Sequence, residues 1–154
     1  AEIEVVPAKK TLSRLLPWLI PAAIAGLIVA GFFRSGVSLS LSMLWKWFLV
    51  TGTLSAIGSI LALAHPLTVV AAFLAAPFTT LHPAIGVGLV TGVVEAALRK
   101  PRVTDVEALP TDLLSLKGFY RNRITRILIV FLLSSIGASI GTFVGIPYLS
   151  SLLR

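Results

Sequence analysis

Four apolar stretches dominate the chain: Leu15 to Phe33, Leu44 to Ala64, Pro66 to Leu98 and Ile124 to Ile146. An α-helix rises about 1.5 Å per residue, so about 20 residues cross a hydrocarbon core of roughly 30 Å, and each stretch is long enough. Of 154 residues, 56% are hydrophobic and only 12% charged. Soluble domains carry about 25% charged residues, so an all-α integral membrane protein is expected. A cleavable leader is not, because no A-x-A-like site follows the first stretch, which is already a full span long. The absence of cysteine excludes disulfides, thiolate metal sites and cysteine nucleophiles.

The third stretch is too long for one ordinary span, and it holds Pro66, Pro77 and Pro83, with His-Pro at 65–66 and again at 82–83. Basic residues decide how it is used. Lys9, Lys10 and Arg14 precede the first stretch, and Arg99, Lys100, Arg102, Lys117, Arg121, Arg123 and Arg126 gather between the third and fourth; only Arg34 and Lys46 separate the first two. Positive residues favour the cytoplasmic side, which puts the N-terminus and the 99–123 loop there together. Residues 66–98 must then cross an even number of times. Proline suits the first helical turn and disfavours helix in the residue before it, so each His-Pro reads as a helix start. The expected element is a broken or re-entrant helical hairpin: a first half-helix, a turn near Phe78 to Leu81, and a second helix from Pro83 to Leu98. Such a turn survives at depth only when covered by protein or lining a wet cavity.

The rest of the expected architecture is three full transmembrane helices, 15–33, 44–64 and 124–146, and an amphipathic surface helix at 110–122. The serine-rich 34–42 segment, "RSGVSLSLS", connects the first two spans. Thr111 or Asp112 reads as the N-cap of the surface helix, with Leu113, Leu116 and Tyr120 at helical spacing. Residues 1–14, which open "AEIEVVPAKK", read as a tether from a preceding soluble domain. In the last span Gly137, Gly141 and Gly145 stand four apart, the pattern of a glycine zipper that lets another backbone approach closely.

"HPLTVVAAFLAAPFTTLHPAIGVG", then "VEAALRKPRV" and "GFYRNRITRILIVFLLSSIGASIGT" resemble the C-terminal membrane region of the TraB/PrgY family, the pheromone-shutdown-related proteins of archaea and bacteria. The resemblance covers roughly Pro66 to Thr142. It implies a membrane domain accompanied by a soluble N-terminal domain similar to Tiki-type metal-dependent proteases. The histidine and glutamate motifs of that domain are not in these residues, so any peptide-inactivating chemistry implied by the family belongs to the soluble part.

The candidate polar residues are His65, His82, Glu95, Arg99, Asn122, Arg123 and Arg126. Glu95 is the one acid inside an apolar stretch, where an unpaired carboxylate costs on the order of 3 kcal/mol. It can pair with Arg99 one turn on, or reach Asn122, Arg123 and Arg126 and clamp the hairpin to the last span. His65 and His82 read as loop-bonded helix starts; with no HExxH-like spacing, no metal or other cofactor is expected. The basic residues read as an orientation signal or a site for anionic lipid head groups, against a docking surface for the chain's own soluble domain. Expected partners are therefore the bilayer, that soluble domain and possible further copies of the chain, but not nucleic acid, since the charges flank apolar runs without interleaved aromatics. Two functions follow: a non-catalytic anchoring and assembly domain, or a transport module whose broken hairpin lines a cavity with Thr79, Thr80 and His82.

Overall fold

The computed structural model describes residues 15–82 and 85–153, and among these every regular element is helical. A 3-10 turn, Leu16–Trp18, leads into α1 (Leu19–Leu61). There follow α2 (Pro66–Thr79), α3 (Val87–Arg99), the short α4 (Val103–Glu107), α5 (Leu109–Asp112) and α6 (Leu116–Arg121), and the long α7 (Arg123–Ser151). Two helices, α1 with its lead-in turn and α7, are long and apolar enough to cross a membrane. The expected tether at 1–14 lies outside the described residues.

Helix α1 is two arms rather than one rod. Gly36 has φ 74° and ψ −162°, a region that only glycine adopts without strain, and the chain doubles back there. The Ser40 hydroxyl donates to the Ile28 carbonyl at 3.0 Å, although 12 residues of straight helix would part them by about 18 Å. Ile24 of the first arm, Met43 and Trp47 of the second, and Leu149 of α7 close this end in one apolar cluster. The serine-rich segment is therefore not a ten-residue-scale loop. It is helical on both sides of Gly36, because Ser40 and Ser42 donate their hydroxyls to carbonyls and need no water.

Helix α7 lies along the second arm of α1, residues 37–61, with its three glycines facing that arm. A Cβ at Gly141 would fall 2.8 Å from the Thr51 Cα, one at Gly145 would fall 2.9 Å from the Trp47 ring, and one at Gly137 would overlap the Leu54 carbonyl. Gly58 of α1 meets Leu133 of α7 in the same way. Helix α2 closes on α1 by a related device. Pro77 has no N–H to give the Phe73 carbonyl, and Gly52 packs against that carbonyl so closely that a Cβ would lie 2.6 Å from it.

The interior is small and polar. Thr51, Ser55, Ser59, Thr68, Thr91 and Ser134 are fully buried, and each hydroxyl has a partner. The Thr91 and Ser134 hydroxyls share a 2.8 Å bond between α3 and α7, and Ser55 of α1 donates to the Ser134 carbonyl at 3.2 Å. Outside the cluster at Met43 and Trp47 and a few neighbours such as Ile129, most large apolar side chains point outward: Phe33 is 81% exposed, Phe143 74% and Leu132 55%.

Three expected boundaries move. The second helix of the hairpin starts at Val87, with Gly86 as its N-cap, so His82 precedes a longer turn rather than a helix; Pro83 lies outside the described residues. The 110–122 surface helix is two pieces, α5 and α6, because Ser115 is extended (φ −136°, ψ 140°) and caps α6 by accepting from the Gly118 N–H at 3.0 Å. The last helix runs past 146 to Ser151. Replacing Gly141 by Leu should lower stability to unfolding in detergent by about 1–3 kcal/mol, as overpacked contacts do. Gly26→Leu, at an open position with nothing within 4 Å, should leave the melting temperature nearly unchanged.

Candidate functional site

The most connected polar group is the Glu95 carboxylate, fully buried on α3. His65 is the N-cap of α2: its Nδ1 accepts from the Leu67 N–H at 3.2 Å, and Pro66 takes the first helical position, where no N–H is missed. In a capping box, a side chain at the third helical position returns to the N-cap N–H. Here that position holds Thr68, and the carboxylate comes from the neighbouring helix. The His65 N–H donates to Oε2 of Glu95 at 3.0 Å, and the Thr68 hydroxyl donates to the same oxygen at 2.5 Å. Oε1 receives Nε of Arg99, one turn further along α3. The open end of the α2–α3 hairpin is thus closed by one carboxylate shared between both helices.

Arginines surround this cap but use carbonyls. Arg99 Nη2 and Arg126 Nη1 both donate to the Leu63 carbonyl, at 3.2 and 3.3 Å. Arg126 Nε donates to Tyr120 O at 2.8 Å, and Arg123 Nη1 to the carbonyls of Arg99 and Lys100, each at 3.1 Å. Leu63 (φ 55°) and Lys100 (φ 48°) are the two non-glycine residues held at positive φ among the described residues, and guanidinium groups bind both of their carbonyls. Glu95 therefore meets Arg99 and the start of α2. The direct clamp from Glu95 to Arg123 or Arg126 does not form: Arg123 turns its Nη1, and Arg126 its Nε, Nη1 and Nη2, to backbone carbonyls instead.

Asn122, nearly fully buried, organises the adjoining segment. Its Oδ1 accepts from the Ile124 and Thr125 N–H groups at 3.0 and 3.4 Å, capping α7. Its Nδ2 donates to the Asp105 carbonyl at 2.7 Å and to Oδ2 of Asp112 at 3.0 Å, tying α4 and α5 to the start of α7. Asp112 also pairs with Arg121 at 3.3 Å, so it anchors this corner rather than capping a helix.

His82 lies at the other end of α2 from His65, about 21 Å away for 14 helical residues. It borders a groove of about 300 Å³ formed with Thr79, Thr80, Pro21 of α1 and Ser135 and Ser139 of α7. Thr79 and Thr80 donate to the carbonyls of Ala76 and Pro77 at 3.2 and 3.0 Å, which leaves their hydroxyl oxygens with acceptor capacity only. Among the described residues, no three His, Asp or Glu side chains converge. Two members of the Glu95 site escaped the sequence reading: Thr68 and the Leu63 carbonyl. Thr68 carried a signal, being three residues after the His-Pro N-cap.

These features define an all-helical domain with an apolar exterior, a hydroxyl-lined interior and arginines gathered at one end. The chain belongs to the TraB family: residues 12–153 match the C-terminal domain of TraB family proteins. It is 36% identical over 146 residues to an uncharacterized protein of Methanocaldococcus jannaschii, an alignment taking in 92% of this chain and 36% of that relative. The chain spans about a third of the length of the curated relative it matches. No solved structure matches it.

Glu95→Ala strands the Arg99 guanidinium, the His65 N–H and the Thr68 hydroxyl together, and should cost about 2–4 kcal/mol in detergent unfolding. In double-mutant cycles Glu95→Gln should couple to Thr68→Val and to Arg99→Gln, whereas its effect and that of Arg123→Gln should add within about 0.5 kcal/mol.

Proposed function

We propose that this domain is a membrane anchor that holds a longer TraB-family polypeptide at the bilayer, with its helix-packing surfaces already satisfied within the chain. The observation that carries the reading is the inverted polarity: hydroxyl and glycine positions buried, Phe and Leu outward. Water would penalise that surface, and lipid does not. In this reading the two arms of α1 and the helix α7 are three spans. Helices α2 and α3, of 14 and 13 residues, reach only about 20 Å each, short of a roughly 30 Å core, and form a re-entrant hairpin. The arginine end faces the cytoplasm, by the excess of basic residues there, and Lys9, Lys10 and Arg14 assign the N-terminus to the same side. Residues 15–153 act without catalysis, and any peptide-inactivating activity of the pheromone-shutdown type belongs to chain outside them.

A second reading, a small conduction module, draws on the groove at the hairpin turn lined by Thr79, Thr80 and His82. Ion or solute flux in proteoliposomes, abolished by His82→Phe, would favour it over the anchor.

The natural lack of cysteine allows a direct test of topology. Single cysteines at the exposed positions Ser35, Ser115 and Ser151 would be labelled in oriented vesicles with an impermeant reagent. Ser35 and Ser151 should react from one side and Ser115 from the other; reaction of Ser115 and Ser151 from the same side overturns the three-span, re-entrant arrangement.

A further inference from the structure

We infer that the corner built by Leu63, Arg99, Arg123 and Arg126 binds one acidic phospholipid, its phosphate on the guanidinium groups and an acyl chain in the groove beside Leu63. This rests on the membrane reading above and names the lipid that the anchor selects.

The charge balance of the corner points to an anion. Three guanidinium groups meet at the carbonyls of Leu63, Arg99 and Lys100, and one carboxylate, Glu95, lies among them. Glu95 accounts for Arg99. Arg123 and Arg126 meet neutral carbonyls and, among the described residues, no carboxylate. Of the acids that precede them in the connecting segment, Asp112 bonds Arg121 and Asn122, Asp105 accepts from the Arg102 N–H at 2.7 Å, and Glu107 forms no ion pair with Arg123 or Arg126. Three guanidinium groups at the end of apolar helices thus share one carboxylate, which leaves the corner with an excess of positive charge. A guanidinium that already spends N–H groups on carbonyls still has edges left, and its planar fork suits phosphate oxygens.

The second observation selects a lipid over a soluble anion. A groove of about 470 Å³, lined by Ile60, Leu63, Ala64, Pro66 and Val69, opens between the end of α1 and the start of α2. Every one of these side chains is apolar. Leu63, whose carbonyl is the acceptor shared by Arg99 and Arg126, is one of the lining residues. Polar head and apolar trough therefore adjoin, in the order a phospholipid presents them at a membrane boundary. Free phosphate would use the arginines and leave the groove without a role.

The test uses the full chain reconstituted in vesicles of equal parts phosphatidylcholine and phosphatidylglycerol, with insertion checked first by resistance to alkaline carbonate extraction. Retention of phosphatidylglycerol against phosphatidylcholine is then measured by native mass spectrometry of the chain released into detergent. The wild-type chain should retain phosphatidylglycerol about tenfold better, a preference of the size that a few interfacial arginines supply. Arg123→Gln should bring the ratio close to one while the helical circular dichroism stays unchanged. Val69→Trp, which fills the groove and keeps every charge, should do the same; glycerol 3-phosphate should fail to displace the lipid. Equal retention of the two lipids by the wild-type chain overturns the site, as does a preference that survives both substitutions. Displacement by glycerol 3-phosphate would make it a site for soluble phosphate instead. A chain that carbonate strips from vesicles overturns the membrane reading and this site with it, whereas one that stays inserted without preference overturns the site alone.

Discussion

Backbone-to-backbone contact between α7 and the second arm of α1 sets the geometry to which everything else conforms. At Gly137, Gly141 and Gly58 there is no room for a Cβ, so the two helices lie closer than side chains normally allow. Close approach multiplies van der Waals contacts and brings hydroxyls within reach of the opposite backbone, which is how Ser55 finds the Ser134 carbonyl. Ser134 then bonds Thr91, drawing α3 onto the same axis, and Gly88 lets α3 settle against Phe131. The order of dependence runs from α7 outward. Once two helices touch along their backbones, the positions of the other two follow from the hydroxyls and glycines that remain.

The hairpin is fastened separately and at its other end. The first N–H groups of a helix lack partners inside it, and α2 has His65 and Pro66 for the first turn but no acid of its own. Glu95 supplies that acid from α3. Charge is thereby shared among an amide, a hydroxyl and a guanidinium, and the same guanidinium touches Leu63, the residue that turns the chain from α1 into α2. The arginines of α7 reach the same turn from the opposite side. The three chain segments that meet there are joined through one carbonyl rather than through a direct ion pair across helices.

Features set by local chemistry were legible in the sequence. His65-Pro66 starts a helix because proline favours the first turn and histidine can cap it, and the four-residue spacing of Gly137, Gly141 and Gly145 announces a tight helix contact. The partner of that contact was not legible, since a glycine stripe says that a backbone will approach and not whose. Gly36 was hidden among serines: one residue at positive φ turns the chain, and nothing in composition separates that from a flexible connection. Ser115 breaks the expected surface helix through a cap competing with propensity. For Glu95, Arg99 was readable at i+4. Thr68 and the His65 amide lie 27 and 30 residues away, so only the folded hairpin brings them to the carboxylate.

A hydroxyl-and-glycine interior also governs how this domain can come apart. A soluble protein that unfolds delivers buried leucine and phenylalanine to water, and the heat capacity rises with the apolar area exposed. Here most of those side chains already face outward, and under the proposed membrane reading helices that separate in lipid exchange neighbours without new hydration. Loss of structure would therefore register as lost packing and broken hydrogen bonds, with almost no heat-capacity increment. The stability curve would be nearly straight in temperature, with no region of cold denaturation.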